Sequence, residues 1–520
     1  MSFKPERDIR RVVVPLILVI LGYSVTVSIW QCLSSPLIHD EHQFMASAFM
    51  VAQYGLHPYQ DFAYFHMPNL VYLYAPFFHI PYPFMAARLF GVICALGICL
   101  TMFLTARSLF AGHEKLNSLI IPVCGAALLI HSPLFHYASS HVWNHTPSTL
   151  CAVLAFLFHC QAIRGNKPFL SFFMSGVSLG MAIGIRLSFF PLVVPFLFAV
   201  VVFRAGTVRD KGLYTLAFAV GGLLANLPAI YFFFTSYHNF LFGNLGYANL
   251  NTIYRQVTSF PGPMTFTGKV TDLIKSVFAK PGELLILAVT LYSLVLFGFD
   301  TLRNGARPRF EIVFLLILLP FAYVGSSAPT PTWYWYYFAP VPFLILLSLY
   351  AVSTLRCSAF SEAASLFLVV AVLISFVYSS PLKIDSPIRG LMRPESWTPV
   401  SLQKEAERIR AYIDSRGGEG EVLTLSPLYA IESGLPIYKE FVTGPFAWRV
   451  SHLLSEDEAV NRGLPLRSRI DSFLREKHPR AILTGKEEEE LEIPLIKGAQ
   501  EIGYQPAVTS MGVVIWFPPK

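Results

Sequence analysis

Apolar runs close to the length of a membrane-crossing helix recur through the first 380 residues and leave little freedom in what the chain can fold into. They lie near 11–33, 84–106, 118–136, 146–163, 168–186, 188–204, 213–235, 282–299, 310–327, 337–355 and 361–380. A hydrocarbon core about 30 Å thick needs about 20 apolar residues per crossing. Backbone groups in lipid find no water, so each run must bond its own backbone as a helix. Composition agrees: 54% of residues are hydrophobic and 14% charged, against roughly 25% charged in soluble domains. Residues 12 to 380 hold ten acidic side chains, whereas residues 385 to 520 read as an ordinary water-soluble sequence. The expected fold is therefore mostly α, a polytopic transmembrane helix bundle of about eleven spans (1–383) followed by a small C-terminal α/β extracytoplasmic domain (384–520).

Orientation follows from the basic residues, which collect in cytoplasmic loops. Arg10 and Arg11, Arg107 and Lys115, Arg164 and Lys167, Arg204, Arg209 and Lys211, Arg303, Arg307 and Arg309, and Arg356 fall in one set of connections, while the alternate connections 137–145 and 328–336 carry none. The start, MSFKPERDIRR before the first apolar run, has no small-residue cleavage site and reads as an uncleaved first span. With a cytoplasmic N-terminus and an odd number of spans, the loop 34–83 and everything after 380 lie outside. The net charge of +7 comes from these topological lysines and arginines, so nucleic acid is not an expected partner. All seven cysteines fall in or near apolar runs, and no disulfide framework is implied.

The loop 34–83 is short of full spans and rich in chemistry. EHQFMASAFMVAQYG (41–55) has helical apolar spacing and stops at Gly55, ahead of Pro58. NLVYLYAPFFHI (69–80) is too short to cross and is bracketed by Pro68, Pro76, Pro81 and Pro83, so it reads as an interfacial helix. Asp40, Glu41 and Asp61 cluster here on the outer face. A carboxylate under a roof of apolar helices has a raised pKa unless a cation or donor compensates, which suits a general base. The plainer reading of Asp40 and Glu41 is that they cap the helix beginning beside them.

The order of these features resembles the membrane glycosyltransferases of the GT-C class, in particular bacterial relatives of the protein mannosyltransferases and of the aminoarabinose and galacturonic acid transferases that act on lipid A. The residues carrying the resemblance are Asp40 and Glu41 after the first span, Gly55 to Pro58, Asp61, Pro68, the run Ala86-Ala87-Arg88-Leu89-Phe90, the segment LGMAIGIRLSFFPLVVP (179–195) and the aromatic span start WYWYYFAPVPFLILL (333–347). It spans about residues 10 to 355. It implies a sugar transferase using a polyprenyl-phosphate donor on the outer face of a bacterial cytoplasmic membrane, with a lipid, glycan or protein acceptor. In that frame Asp40, with Glu41 beside it, takes the place of the catalytic base, Asp61 that of a second acid, and Arg186 that of the residue binding the donor phosphate. Arginine suits this role because its fork matches phosphate oxygens; the plainer alternative is an arginine snorkelling to the interface. One departure is the second external loop, where HVWNHTPSTL (141–150) offers Asn144 in place of the family's acid; an amide orients a hydroxyl and cannot act as a base.

His66, His141, His145, Tyr336 and Tyr337 complete the expected substrate-binding set. Ten of the fourteen histidines map to the outer half. His39, Asp40 and His42, or His141 and His145, offer ligands for a divalent cation, but no Cys partner or H-E-x-x-H spacing supports one, so hydrogen bonding is favoured and no metal ligand is assigned. Trp333 to Tyr337 form an aromatic belt of which one or two members can line a sugar pocket. The tail carries two amphipathic helices (VSLQKEAERIRAYIDSRG and SRIDSFLREKHP), three strands (EVLTL, RAILT and GVVIWF) and a capping box at Ser455 to Glu458, with no phosphate loop or nucleophile elbow; by position it covers the outer cavity or receives the acceptor. Two rival functions fare worse. A transporter or flippase predicts similar halves and mid-span charges, and neither is present; a surface-polysaccharide polymerase or ligase predicts a long late loop rich in Arg and His, where 236–281 has Arg255, His238 and little else.

Overall fold

Proline opens several of the long helices, where its missing N–H costs nothing: Pro83–Leu109, Pro168–Ile185 and Pro281–Asn304 each begin on one. The computed structural model describes residues 5–110, 117–260, 262–305, 308–379, 385–508 and 511–519; Lys115, Arg307 and the expected boundary at 383/384 lie outside them. Among the described residues seven helices are long and apolar enough to cross a membrane alone. Two further apolar segments are bent pairs, Leu119–Ile130 with Pro133–Ser139 at 65° and Val208–Ala225 with Leu227–Thr235 at 67°. At the expected places 11–33 and 188–204 stand Leu18–Ser34, half of a third bent pair, and Leu187–Phe203, which is shorter than a crossing helix, so the described residues give seven to ten candidate spans where the sequence suggests about eleven.

Close helix contact organises the bundle beside the site. Gly176, Gly180 and Gly221 lie where the Pro168–Ile185 and Val208–Ala225 helices touch, and a Cβ on Gly176 would run into the Phe218 carbonyl. Small residues at such a crossing let backbones approach, which is how helices gain packing energy in lipid. Asn226 Nδ2 donates to the Gly180 carbonyl (2.8 Å) across this crossing, while Asn69, from the loop 34–83, donates Nδ2 to the Ala225 carbonyl (2.9 Å) and to Met181 Sδ (3.3 Å), so the end of the helix before Arg186 is held from two sides.

The loop 34–83 turns away from the first span by 77° into the helix His39–Tyr54. Gly55, at φ 65°, ends that helix in the left-handed conformation that favours glycine. The run 69–80 forms a six-residue helix, Asn69–Tyr74, and a 3-10 turn, Ala75–His79, both packed on His39–Tyr54.

Beyond residue 385 a four-stranded sheet has the order β1 (Val422–Thr424), β2 (Ala481–Thr484), β4 (Val514–Phe517), β3 (Gln505–Val508). β1 and β2 run parallel with Val422 opposite Ala481; β4 is antiparallel to both neighbours. The expected strands are β1, β2 and β4. β3 escaped the sequence reading because Pro506 breaks its apolar pattern, and the structure places it at the sheet edge, where proline is tolerated. The expected helices are Thr398–Arg416 and Ile470–Lys477, and Ser455 Oγ accepts the Glu458 N–H as the helix cap. This α/β unit sits on the helix His39–Tyr54: His39 Nδ1 lies 2.6 Å from Glu487 Oε2, and the Leu428 N–H donates to His42 Nδ1 at 3.2 Å.

Candidate active site

Where the α/β unit meets the bundle there is a cavity of about 460 Å³. Its lining comes from stretches far apart in sequence, among them Asp40 and His66 from the loop 34–83, Asn144 and His145 at the start of His145–Ile163, Arg186 at the end of Pro168–Ile185, Tyr247 and Arg255 from Tyr247–Val257, Tyr336 in the aromatic turn, and Arg449 with Glu488 from the α/β unit.

Asp40 stands in the first turn of its helix and faces this space. Gln43 Nε2 donates to its Oδ1 at 3.0 Å. Enclosure by protein pushes its carboxyl above the ordinary carboxylate value, with Arg449 and His39 pulling the other way. Such a group is a stronger base than an exposed aspartate once ionised. His66, enclosed beside Arg186, is pushed down to about 3 and is neutral.

Arg186 ends its helix in extended conformation, φ −149° and ψ 113°, so its side chain leaves the helix and enters the cavity. Its Nη1 donates to His145 Nδ1, and its guanidinium carbon lies 4.5 Å from the Tyr336 ring centroid. An arginine only donates, so His145 presents Nδ1 as a lone pair. His145 also stacks on Tyr336, ring centroids 5.6 Å apart. Trp143 packs against Tyr137, His145 and Trp335, giving one wall an apolar, flat surface.

Four expected site residues are not in the cavity. Glu41 is fully buried behind it: Arg88 Nε donates to Oε1 at 2.8 Å and Nη2 to Oε2 at 2.7 Å, while the Val142 N–H (2.8 Å) and the Ile38 N–H (3.3 Å) take the remaining lone pairs. Arg88 in turn donates to the Cys32, Ser35 and Pro36 carbonyls that end the first helix. Asp61 accepts the His57 N–H at 2.7 Å and closes a local turn. His141 stacks on Trp143, ring centroids 5.2 Å apart, outside the lining. Tyr337 bonds to Ser327 at 3.1 Å on the bundle side. The histidines weighed as cation ligands have protein partners instead: His39 with Glu487, His42 with the Leu428 N–H, His145 with Arg186. Among the described residues no three His, Cys, Asp or Glu side chains converge on a metal-sized site.

Sequence reasoning missed Arg449 and left Arg255 without a role, and both line the cavity. Arg449 lies on the short helix Pro445–Ser451, set by Gly444 at φ 55°, where a Cβ would meet the Leu425 carbonyl. Its Nη2 donates to Tyr247 Oη at 2.9 Å. The signal was present: each arginine sits in a stretch with no acid within four residues, PFAWRVSHL and NTIYRQVTS, so neither has a local ion-pair partner on its own helix.

By sequence, no protein family model and no curated protein matches the chain. By structure it is similar to ArnT from Cupriavidus metallidurans: 12% identity and a TM-score of 0.57 to the form bound to undecaprenyl phosphate, and 13% and 0.59 to the apo form, with 97% of each chain covered in both cases. It is also similar to the apo oligosaccharyltransferase of Archaeoglobus fulgidus, at 11% identity and a TM-score of 0.50, over 97% of this chain and 74% of that one. At these identities the likeness shows a shared fold.

Proposed function

We propose that the protein is a glycosyltransferase that moves a sugar from a polyprenyl-phosphate donor to an acceptor hydroxyl of a lipid, glycan or protein. One observation carries the reading: a carboxylate with raised basicity, Asp40, and an arginine at the end of a span, Arg186, line one cavity at the rim of a bundle with this fold. The likeness to an ArnT structure bound to undecaprenyl phosphate supports a lipid carrier of that kind.

In this mechanism the donor's lipid tail lies among the spans and its phosphate on Arg186. Asp40 takes the proton of the acceptor hydroxyl as that oxygen attacks the anomeric carbon; the bond from carbon to phosphate oxygen breaks, and the leaving phosphate's charge is met by the guanidinium. His145 holds Arg186 in place, and His66 is a neutral polar wall. Glu41 and Asp61 act on structure: the first ties the helix of Asp40 to Arg88, the second closes the turn at His57. The topology is a multi-pass protein of the bacterial inner membrane with its N-terminus cytoplasmic and its α/β unit and cavity outside, where a lipid-carried sugar replaces nucleotide donors.

Mass spectrometry of lipids co-purifying with the protein tests this. A polyprenyl phosphate or its glycoside is expected with the wild type and depleted in Arg186→Ala. A wild-type preparation that binds neither, even when supplied with undecaprenyl phosphate, contradicts the reading.

A further inference from the structure

Arg186 is not the only cation in the cavity, and the other two are held differently. Arg255, on the helix Tyr247–Val257, and Arg449, on Pro445–Ser451, both lie outside the spans, on helices that pack against each other. Their guanidinium carbons lie 5.8 and 6.0 Å from the same ring, Tyr254, with Arg255 also 4.7 Å from Phe260 and Arg449 4.4 Å from Phe446. Among the described residues neither has a carboxylate within 4.0 Å, although Glu488 shares the cavity lining. Arg449 is 93% buried, yet its Nε has no hydrogen-bond partner, and neither has the buried Nε of Arg255. Asn251 Oδ1, one turn from Arg255 on the same helix, is buried and unbonded as well.

Two mutually repelling guanidiniums in an aromatic enclosure, with unmet N–H donors and only the more distant Asp40 and Glu488 carboxylates to offset them, are unfavourable until a ligand arrives. The planar fork fits an oxyanion bidentately. We propose that Arg255 and Arg449 form a second anion subsite, on the side of the cavity away from the spans, that takes a phosphoryl or carboxylate group in addition to the phosphate at Arg186. This rests on the donor reading above for its first phosphate. The second group comes either from an acidic acceptor or from a second phosphate on the donor; the extramembrane position favours the acceptor.

The test uses the full-length protein in phosphatidylcholine nanodiscs, saturated with undecaprenyl phosphate and titrated calorimetrically with inorganic pyrophosphate. The wild type is expected to bind it, and Arg255→Gln and Arg449→Gln each to weaken it about tenfold or more, by loss of a charge-assisted hydrogen bond. Arg449→Lys, with retained binding of undecaprenyl phosphate, guards against misfolding and is expected to lie between. No pyrophosphate binding by the wild type, or equal binding by both glutamine variants, overturns the subsite. The sources separate with undecaprenyl diphosphate. If it outcompetes the monophosphate, blocks pyrophosphate and loses its advantage in Arg449→Gln, the donor supplies both groups; if it binds no better and pyrophosphate still enters, the acceptor does. Failure of undecaprenyl phosphate to bind refutes the donor reading, while pyrophosphate titration without lipid still reads the arginine pair.

Discussion

Asp40 and Glu41 are neighbours in the first turn of one helix and meet opposite surroundings. Glu41 has every lone pair taken by Arg88 and two backbone N–H groups, and neither partner is exposed. Asp40 has one amide bond and an open cavity holding arginines that lack carboxylate partners. A helical turn separates adjacent side chains by about 100°, so one acid is directed into the protein and the other into the space. The difference teaches which buried charges hold a fold together and which wait for a ligand: the first kind is saturated, the second is not.

The comparison breaks most sharply in activity. Asp40→Asn is expected to lower transfer by about 10² to 10⁴, with no loss of thermal stability, because the buried carboxylate is less favourable ionised than neutral. A transfer assay alongside thermal unfolding reads both; full activity in the variant assigns the base elsewhere. The mirror experiment is Arg88→Met, which leaves Glu41 charged and unpaired at a cost of about 3–5 kcal/mol. Its expected signature is a large fall in unfolding temperature, whereas an unchanged value denies the pair its structural role.

A smaller effect sharpens the contrast through pH. Asp40 must be ionised to accept a proton, and burial raises its carboxyl, so transfer is lost as pH falls through a value above that of an ordinary aspartate. Arg449 favours the ionised form, and Arg449→Gln moves this acid limb upward; a limb that stays in place separates Arg449 from Asp40. The smallest effect concerns His39, half-exposed against buried Glu487. Its hydrogen bond to Glu487 raises the imidazole, with burial opposing. The stabilisation is complete below the ordinary imidazole value and lost as pH rises through the raised one. His39→Ala is expected to cost about 0.2–1 kcal/mol at acidic pH and nothing at alkaline pH, read as the difference in unfolding temperature between the two.

The fold was legible because lipid leaves a chain so few options: apolar runs of about 20 residues had to be helices, and the α/β tail announced itself in charge and alternation. β3 was hidden by Pro506. The site was legible in part. Asp40, His66, Asn144, His145, Arg186 and Tyr336 meet in the cavity, while Glu41, Asp61, His141 and Tyr337 lie outside it. Adjacent residues point different ways once a helix forms, and only Arg88, 47 positions away, decides which acid is neutralised. Arg449 was out of reach for a different reason: nothing local says that a helix of the α/β unit closes over a cavity of the bundle.

The central claim is that Arg186 holds a polyprenyl phosphate beside Asp40. An experimental structure of the protein with undecaprenyl phosphate tests it most directly. The phosphate is expected in the cavity, its oxygens within hydrogen-bond distance of the Arg186 guanidinium and the tail running out between the spans. A phosphate bound elsewhere, with Arg186 still engaged only by His145 and Tyr336, would contradict it.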